Sequence, residues 1–328
     1  MRPLPGWRDP DGRPVLLAVV GPTATGKSTL ALSLAARAGG EVLGCDSTAV
    51  YRGFDIGTDK VPAGRQRGIP HHLIDVVEPV EVYSAARYGR DAARVVREVT
   101  GRGRLPIVAG GTGLYYRALT RGLFDGPGRD AGLRARLERG ARGRGPGALH
   151  RLLARHDPGS AERVHPADEK RLVRALEVFL LTGRTLTDHF AGTRSPLAGH
   201  VVVAVGLRLP MEQLEARIAD RVDRQLARGL LDEIRGLLAR GVPEDAGPFG
   251  GLVYRQALEH LRGERDLRST RELIVRENRR YARRQLTWFR KEASVHWIGT
   301  PGEHPAACDA AAELLEAAVH KGTGCVLS

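Results

Sequence analysis

The segment GPTATGKS, residues 21–28, constrains the fold of this chain more than any other. It fits the pattern G-x-x-x-x-G-K-[ST] and follows PVLLAVV (14–20), an apolar run typical of a buried strand. A segment of helical period then reaches Ala38. Backbone amides in such a strand–loop–helix unit bind phosphate at the positive end of the helix. We therefore predict a phosphate-binding loop formed by Gly21, Pro22, Thr23, Ala24, Thr25, Gly26, Lys27 and Ser28.

Two side chains of this loop have distinct predicted roles. Lys27 would neutralise phosphate charge, and the hydroxyl of Ser28 would ligate Mg²⁺, the predicted cofactor. The loop does not identify its ligand, because ATP and any pyrophosphate fit the same cradle.

Apolar runs and segments of helical period alternate along the chain, which predicts a mostly parallel sheet with helices on both faces. The predicted strands after 14–20 are EVLGC (41–45), LPIVAG (105–110), HVVVAVGL (200–207) and VHWI (295–298). The predicted helical segments are 84–100, 210–240, 252–294 and 303–319.

Residues 121–198 show short helical patterns without strands, and segments rich in glycine and proline mark both ends. The predicted fold is therefore α/β, with a P-loop NTPase-like parallel-sheet core and an all-helical insertion domain. The core would comprise residues 1–120 and 199–328, and the insertion residues 121–198.

Positive charge is concentrated in two stretches of the chain. The formal net charge is +13, from 51 basic and 38 acidic residues. Residues 121–184 hold fourteen basic and eight acidic side chains, and residues 271–291 hold eight basic and two acidic ones. In the second stretch Arg276, Arg280 and Arg284 repeat every four residues on one helix face. Such surplus charge favours a polyanion partner over an ordinary solvated face.

Two further loops carry candidate catalytic groups. Asp46 directly follows the predicted strand 41–45, at the sheet edge where α/β proteins bind ligands. Its carboxylate could hold Mg²⁺ through water, act as a general base or cap a helix, and the spacing does not choose among these. In AGGTGLYYRAL (109–119), Thr112 could contact a ligand or cap the next helix.

Several classes of protein are excluded by what the sequence does not contain. Cys45, Cys308 and Cys325 form no CxxC pair, so neither a zinc site nor a disulfide framework is expected. No apolar run is long enough to span a membrane, and the N-terminus does not resemble a secretory signal, so we expect a cytoplasmic protein. His71 and His72 are interpreted as structural histidines. The aromatic side chains interpreted as core are Tyr254, Tyr281 and Trp288.

Seven segments in this order resemble the tRNA dimethylallyltransferase family, also called tRNA isopentenyltransferases, of the bacterial type. They are GPTATGKSTLA, DSTAVYRGFDIGT, IPHHLIDVVEP (69–79), GGTGLYYRAL, HPADEKRLVRALEV (165–178), VYRQAL (253–258) and ARRQLTWFR (282–290). The resemblance covers nearly the whole chain, from the strand before Gly21 to about Trp297.

The resemblance implies a Mg²⁺-dependent prenyltransferase, monomeric, whose phosphate-binding loop holds dimethylallyl diphosphate rather than ATP. The acceptor would be the exocyclic amine of the adenosine immediately 3′ of the anticodon, in tRNAs that read codons beginning with U. Asp46 would be the general base, and Thr112 would contact the amine or the transferred group. Lys27, Ser28 with Mg²⁺, and Arg284 would hold the pyrophosphate.

The resemblance also implies a set of contacts with the tRNA anticodon stem-loop. They are Asp46, Ser47, Thr48, Ala49, Thr112, Arg134, Lys170, Arg171, Leu172, Val173, Arg174, Gly250, Gly251, Leu252, Val253, Tyr254 and Arg255. Two of these positions depart from the family pattern. Ala49 replaces a frequent glutamine and can contact RNA only through its backbone, and Val253 adds bulk where many members have glycine.

Three other functions remain possible from the sequence. A P-loop kinase or ATPase that acts on a small molecule would use Asp46 with Mg²⁺, but it does not explain the basic insertion. A free-adenylate isopentenyltransferase would have no use for that insertion. A non-catalytic RNA-binding module would not need Lys27.

Overall fold

The computed structural model describes residues 6–327 and has a seven-stranded sheet at its centre. The strands are β1 (Val15–Val20), β2 (Glu41–Cys45), β3 (His71–His72), β4 (Pro106–Gly110), β5 (Val201–Leu207), β6 (Val295–Ile298) and β7 (Cys325–Val326). Their order is β3-β2-β4-β1-β5-β6, and all of these pairs are parallel. β7 pairs antiparallel with the start of β5.

Thirteen helices connect the strands of the described residues. The first seven are α1 (Lys27–Ala38), α2 (Ala85–Gly101), α3 (Gly113–Thr120), α4 (Ala131–Arg142), α5 (Ala148–His156), α6 (Pro158–Arg163) and α7 (Glu169–Thr182). The remaining six are α8 (Leu186–Ala191), α9 (Met211–Ala227), α10 (Leu230–Ala239), α11 (Leu252–Leu261), α12 (Leu267–Phe289) and α13 (Pro305–Lys321). Two short 3₁₀ turns lie at Ala63–Arg65 and Gly247–Gly250.

β1 is buried on both faces, as a central strand of a parallel sheet must be. Leu16, Ala18 and Val20 face a core formed mainly with α2, α3, α10, α11 and α12, and the alternate residues face a second core formed with α1 and α13. The predicted fold class, a P-loop α/β core with helices on both faces, is thereby confirmed.

The chain divides into two compact units. One comprises Arg121–Arg194 and contains α4 to α8 and no strand among its residues; the described residues before and after it form the other. Residues 195–198, which the sequence analysis included in the insertion, lie with the sheet unit because Leu197 is buried in its core.

The predicted strands all form within one residue of their predicted ends, whereas two predicted helical stretches are divided. Residues 210–240 form α9 and α10, separated at Gly229, whose φ of 90° is a left-handed conformation that suits glycine. Residues 252–294 form α11 and α12, and Asp266 caps the second by accepting a hydrogen bond from the Ser269 amide at 2.7 Å. No helix among residues 6–327 has the length and apolarity needed to cross a bilayer.

Candidate active site

The loop between β1 and α1 has the backbone geometry of a phosphate cradle. Gly21 and Gly26 have φ values of 130° and 87°, and a Cβ at Gly21 would lie 2.6 Å from the carbonyl oxygen of Leu207. The buried Thr25 hydroxyl donates to the carbonyl of Pro22 at 2.9 Å. Lys27 Nζ donates to the same carbonyl, so its ammonium lies inside the curl of the loop. The loop therefore curls around the ammonium of Lys27.

A cleft of about 840 Å³ opens over this loop, at the carboxyl ends of the parallel strands. Its lining includes Lys27, Ser28, Asp46, Arg221 and Tyr281. The structure thus brings the phosphate-binding loop and the candidate base, which lie 18 residues or more apart in sequence, to the walls of one cavity.

Asp46 follows β2 and is oriented by its own loop. Its Oδ1 accepts hydrogen bonds from the backbone amides of Thr48, at 2.8 Å, and Ala49, at 3.1 Å. Its Oδ2 accepts none from the described residues, so one carboxylate oxygen is held and the other is available to a ligand. This geometry combines an Asx-type loop with the free acceptor that a general base needs.

Thr112 links the loop after β4 to the loop after β2. Its backbone amide donates to the carbonyl of Cys45 at 3.2 Å, and its hydroxyl accepts from the amide of Ser47 at 3.2 Å. Thr112 is half-buried and does not belong to the residues that line the cleft within the described chain, although its neighbours Gly110 and Gly111 do. Thr112 therefore lies beside Asp46 and fixes the backbone that carries it.

Charged residues on both sides of the cleft affect the pKa of Lys27. Burial lowers the pKa of Lys27 to about 7, and the positive charge of Arg221 adds to the effect, whereas Asp46 opposes it. The pKa of Tyr281 is shifted in the opposite direction, because burial and the charge of Asp46 raise it to about 12. The cleft lining holds eight basic and four acidic side chains, so it has a surplus of positive charge that a diphosphate would neutralise.

The sequence analysis missed two arginines that α9 places on the cradle. Arg217 donates from Nε to the carbonyl of Ala24 at 2.6 Å and pairs with Glu303 at 2.7 Å. Arg221 donates to the hydroxyl of Thr23 and lines the cleft. The four-residue spacing of these arginines was a signal, but helix faces with alternating charges are common and nothing local connects α9 to residues 21–28.

Arg284, predicted to hold pyrophosphate, is placed differently. Its guanidinium lies 5.5 Å from the centre of the Tyr281 ring, its side chain is exposed, and it is not among the described residues that line the cleft. Tyr281, interpreted as a core residue, is half-buried and lines the cleft instead, so that interpretation was wrong. Tyr254 is a core residue as predicted, 1% exposed.

The predicted RNA contacts of the sheet unit differ in accessibility. Ser47, Gly250 and Arg255 are exposed, and Thr48, Gly251 and Leu252 are partly exposed. Val253 and Tyr254 are buried, and the hydroxyl of Tyr254 donates to Glu233 at 2.6 Å. Ala49 is buried, and its amide and carbonyl bind Asp46 and Asp75. Direct side-chain contact with RNA is therefore not available to Val253, Tyr254 or Ala49 in this conformation.

The predicted RNA contacts of the helical unit also differ in accessibility. Lys170 and Arg171 are exposed at the start of α7, whereas Leu172 and Val173 are 0% and 2% exposed and pack in the core of the unit. Arg134 and Arg174 both bind Glu177. Only Lys170 and Arg171 of this set present unburied charge without a buried partner.

Comparison with known proteins places the whole arrangement in one family. A family model described as IPP transferase matches residues 49–292. The chain belongs to the IPP transferase family. Its residues are 47% identical to a tRNA dimethylallyltransferase of Solibacter usitatus over 290 residues, which cover 88% of this chain and 94% of the relative. A tRNA dimethylallyltransferase of Thermomicrobium roseum is 48% identical over 293 residues, which cover 88% of each chain.

Solved structures of IPP transferases have the same fold. A tRNA isopentenylpyrophosphate transferase from Bacillus halodurans superposes with a TM-score of 0.67 and 37% identity, covering 92% of this chain and 96% of that one. A eukaryotic dimethylallyltransferase acting on tRNA gives a TM-score of 0.75 and 27% identity, covering 93% and 78%. The resemblance inferred from seven sequence segments is confirmed.

Proposed function

We propose that this IPP transferase moves a dimethylallyl group from dimethylallyl diphosphate to the exocyclic amine of the adenosine 3′ of the anticodon in tRNAs that read codons beginning with U. The observation that carries the proposal is the shared cleft: a phosphate-binding loop and a carboxylate with one free oxygen line the same cavity. The names of the relatives, which describe dimethylallyl and isopentenyl transfer on tRNA, support this choice.

The reaction needs a base because an adenine amine is a weak nucleophile, with its lone pair delocalised into the ring. In the proposed step the amine nitrogen bonds to the allylic carbon while the carbon–oxygen bond to the diphosphate breaks. The diphosphate leaves with the bonding electron pair, and the amine proton passes to the free Oδ2 of Asp46. A positioned base of this kind contributes about 10²–10⁴ in rate.

Charge that develops on the leaving diphosphate is stabilised by the cradle. The backbone amides at the start of α1, the ammonium of Lys27 and the guanidinium of Arg221 surround the place where its phosphates would bind. Because leaving-group charge grows in the transition state, these groups favour the transition state over the bound donor.

The residues around the cradle fit a Mg²⁺ ion carried by the substrate. No cluster of three His, Cys, Asp or Glu side chains suited to a metal occurs among residues 6–327. Mg²⁺ bound to phosphates commonly keeps water and needs only one or two protein ligands. We propose that the exposed hydroxyl of Ser28 is the protein ligand and that the ion neutralises diphosphate charge when bound.

Transfer of radiolabelled dimethylallyl from its diphosphate to bulk tRNA, with MgCl₂ and without ATP, tests this function. Nuclease digestion and mass spectrometry should place the label on one adenosine. Label transfer to free AMP instead would indicate an adenylate transferase, and tRNA-independent ATP hydrolysis would indicate a kinase or ATPase. Tight tRNA binding without transfer would indicate an RNA-binding module. Each of these three results would overturn the proposal.

A further inference from the structure

One face of α12 packs against the loops at the carboxyl ends of β1 and β4. Its residues Tyr281, Gln285 and Trp288 are spaced by four and three, so they lie in one row. Tyr281 lines the cleft, and the indole of Trp288 occupies the space beside Gly113, where a Cβ would lie 2.3 Å from the ring. Gln285 lies between them.

The Gln285 amide binds both loops at once. Its Oε1 accepts the backbone N–H of Thr23 at 2.9 Å, and its Nε2 donates to the carbonyl of Gly111, also at 2.9 Å. Because an N–H can only donate and a carbonyl can only accept, this amide orientation is the one chemistry allows. Gln285 is 6% exposed, so little water competes for either bond.

The bond to Gly111 also requires close approach. A Cβ at Gly111 would lie 2.1 Å from the Nε2 of Gln285, so only glycine admits the amide at this place. Thr112 follows directly, and its hydroxyl binds the amide of Ser47, next to Asp46. Three hydrogen bonds and the Gly111–Thr112 peptide bond therefore connect the phosphate-binding loop, through Gln285, to the loop beside the candidate base.

We propose that Gln285 is a positioning residue that holds the phosphate-binding loop and the Thr112 loop at the separation required for transfer. The inference rests on the function proposed above, since it assigns the donor to one loop and the base to the other. Gln285 lines the cleft, and its role is assigned through the two loops that its amide binds. Misplacement of reacting groups by about 1 Å can cost roughly 10²-fold in rate, so loss of this bridge should act on the chemical step.

Two substitutions distinguish positioning from packing. Gln285→Leu keeps the approximate volume and removes both hydrogen bonds. Gln285→Glu keeps the acceptor for Thr23, but its ionised carboxylate faces the carbonyl of Gly111 without a proton to donate. The protonated carboxyl has one donor and one acceptor, like the amide, and its position next to a carbonyl in a buried site favours protonation. Lower pH should therefore rescue Gln285→Glu.

Single-turnover transfer measured from preformed enzyme–donor–tRNA complexes reports the chemical step. We expect Gln285→Leu to lower this rate by about 10²-fold with little change in donor affinity. The single-turnover transfer rate of Gln285→Glu, divided by that of wild type at the same pH, should rise at least about threefold from pH 8 to pH 6. Gln256→Glu is the matched control, because Gln256 is 1% exposed in α11 and the same charge there should affect stability alone.

Hydrogen exchange provides a readout that does not depend on activity. Inorganic pyrophosphate should slow exchange of the amides of residues 110–113 in wild type and not in Gln285→Leu. A Gln285→Leu transfer rate within threefold of wild type would overturn the inference. So would a relative transfer rate of Gln285→Glu that does not vary with pH. If wild type itself transfers nothing to tRNA, the proposed function fails, while the exchange measurement still decides whether Gln285 couples the two loops.

Discussion

Arg134 and Glu177 form a two-point ion pair inside the helical unit, with Nε–Oε1 and Nη2–Oε2 distances of 2.7 and 2.8 Å. Arg174 binds the same carboxylate at 2.7 Å, and Glu177 is fully buried. Both arginines were predicted from the family resemblance to contact tRNA. In the structure Arg134 joins α4 to α7, and Arg174, on α7 itself, also donates to the carbonyl of Pro127. Any RNA contact would have to use the donors that these partners leave free.

Glu177→Gln should destabilise the protein by about 3–5 kcal/mol, because two partly buried guanidinium groups lose their counter-charge. Urea denaturation followed by circular dichroism measures this change. Glu169→Gln is the control: Glu169 is exposed on the same helix, and its substitution should cost less than about 0.5 kcal/mol. Equal effects of the two substitutions would contradict the assigned role.

The stability of wild type should also fall in acid because of Glu177. Burial would raise the pKa of this carboxyl, but hydrogen bonds from Arg134 and Arg174 outweigh it and hold the pKa at about 2. Since the unfolded value is near 4.3, the contribution is complete above about pH 5 and is lost as pH falls toward 2. In Glu177→Gln the decrease in the free energy of unfolding over this pH range should be smaller than in wild type, by roughly 3 kcal/mol.

Asp46→Asn should lower transfer by about 10²–10⁴-fold and leave tRNA affinity within about threefold of wild type. The amide oxygen can still accept from Thr48 and Ala49, so the loop keeps its shape while the base is lost. Asp220→Asn, which removes an exposed charge paired with Arg224 at the same cleft, serves as the control. Turnover near the wild-type level in Asp46→Asn would reject Asp46 as the base.

Arg221→Gln should raise the donor KM at least about tenfold, since a charge-assisted contact contributes about 1.5–3 kcal/mol. Arg284→Gln should raise it less, because Arg284 lies against Tyr281 and outside the cleft lining formed by the described residues. Steady-state kinetics at saturating tRNA compares the two. The reverse order would restore Arg284 as the main pyrophosphate ligand.

Donor binding should take up a proton at Lys27. Burial and the charge of Arg221 hold the pKa of Lys27 near 7 in the free protein, and a bound diphosphate favours the charged ammonium. At pH 8 the uptake at Lys27 should approach about 0.9 proton, and affinity should weaken as pH rises above 7. Calorimetry with inorganic pyrophosphate in buffers of different ionisation enthalpy measures the uptake. Lys27→Arg, whose charge is permanent, should show almost none.

Joint replacement of Lys170 and Arg171 by glutamine should reduce the dependence of tRNA affinity on salt. Both side chains are exposed, and each phosphate contact contributes about 0.7–0.9 to the slope of log K against log salt. We expect the slope to fall by between 1 and about 2, measured by filter binding from about 50 to 200 mM salt. Arg184→Gln, an exposed arginine in the same unit, should leave the slope unchanged.

The local patterns of this sequence determined the elements of the fold and the chemistry of the cradle. Continuous apolar runs are visible in neighbouring residues, and so the strands β1, β2, β4, β5 and β6 were predicted within one residue, whereas the two-residue strands β3 and β7 were not predicted. The phosphate-binding loop was predictable for the same reason, because its glycines, Lys27 and Ser28 lie within eight consecutive residues. Asp46 was predicted as a candidate base because it directly follows a predicted strand.

Only the tertiary structure decided which distant side chains meet this loop. Arg217, Arg221 and Gln285 lie on α9 and α12, nearly two hundred residues or more beyond Thr23, and sheet order and helix packing bring them to it. The sequence did not determine burial either. The same helical pattern surrounds an arginine that faces solvent, such as Arg171, and one that binds a buried carboxylate, such as Arg134. Local periodicity specifies which face of an element is apolar, whereas the partner of each polar side chain is set by contacts between elements.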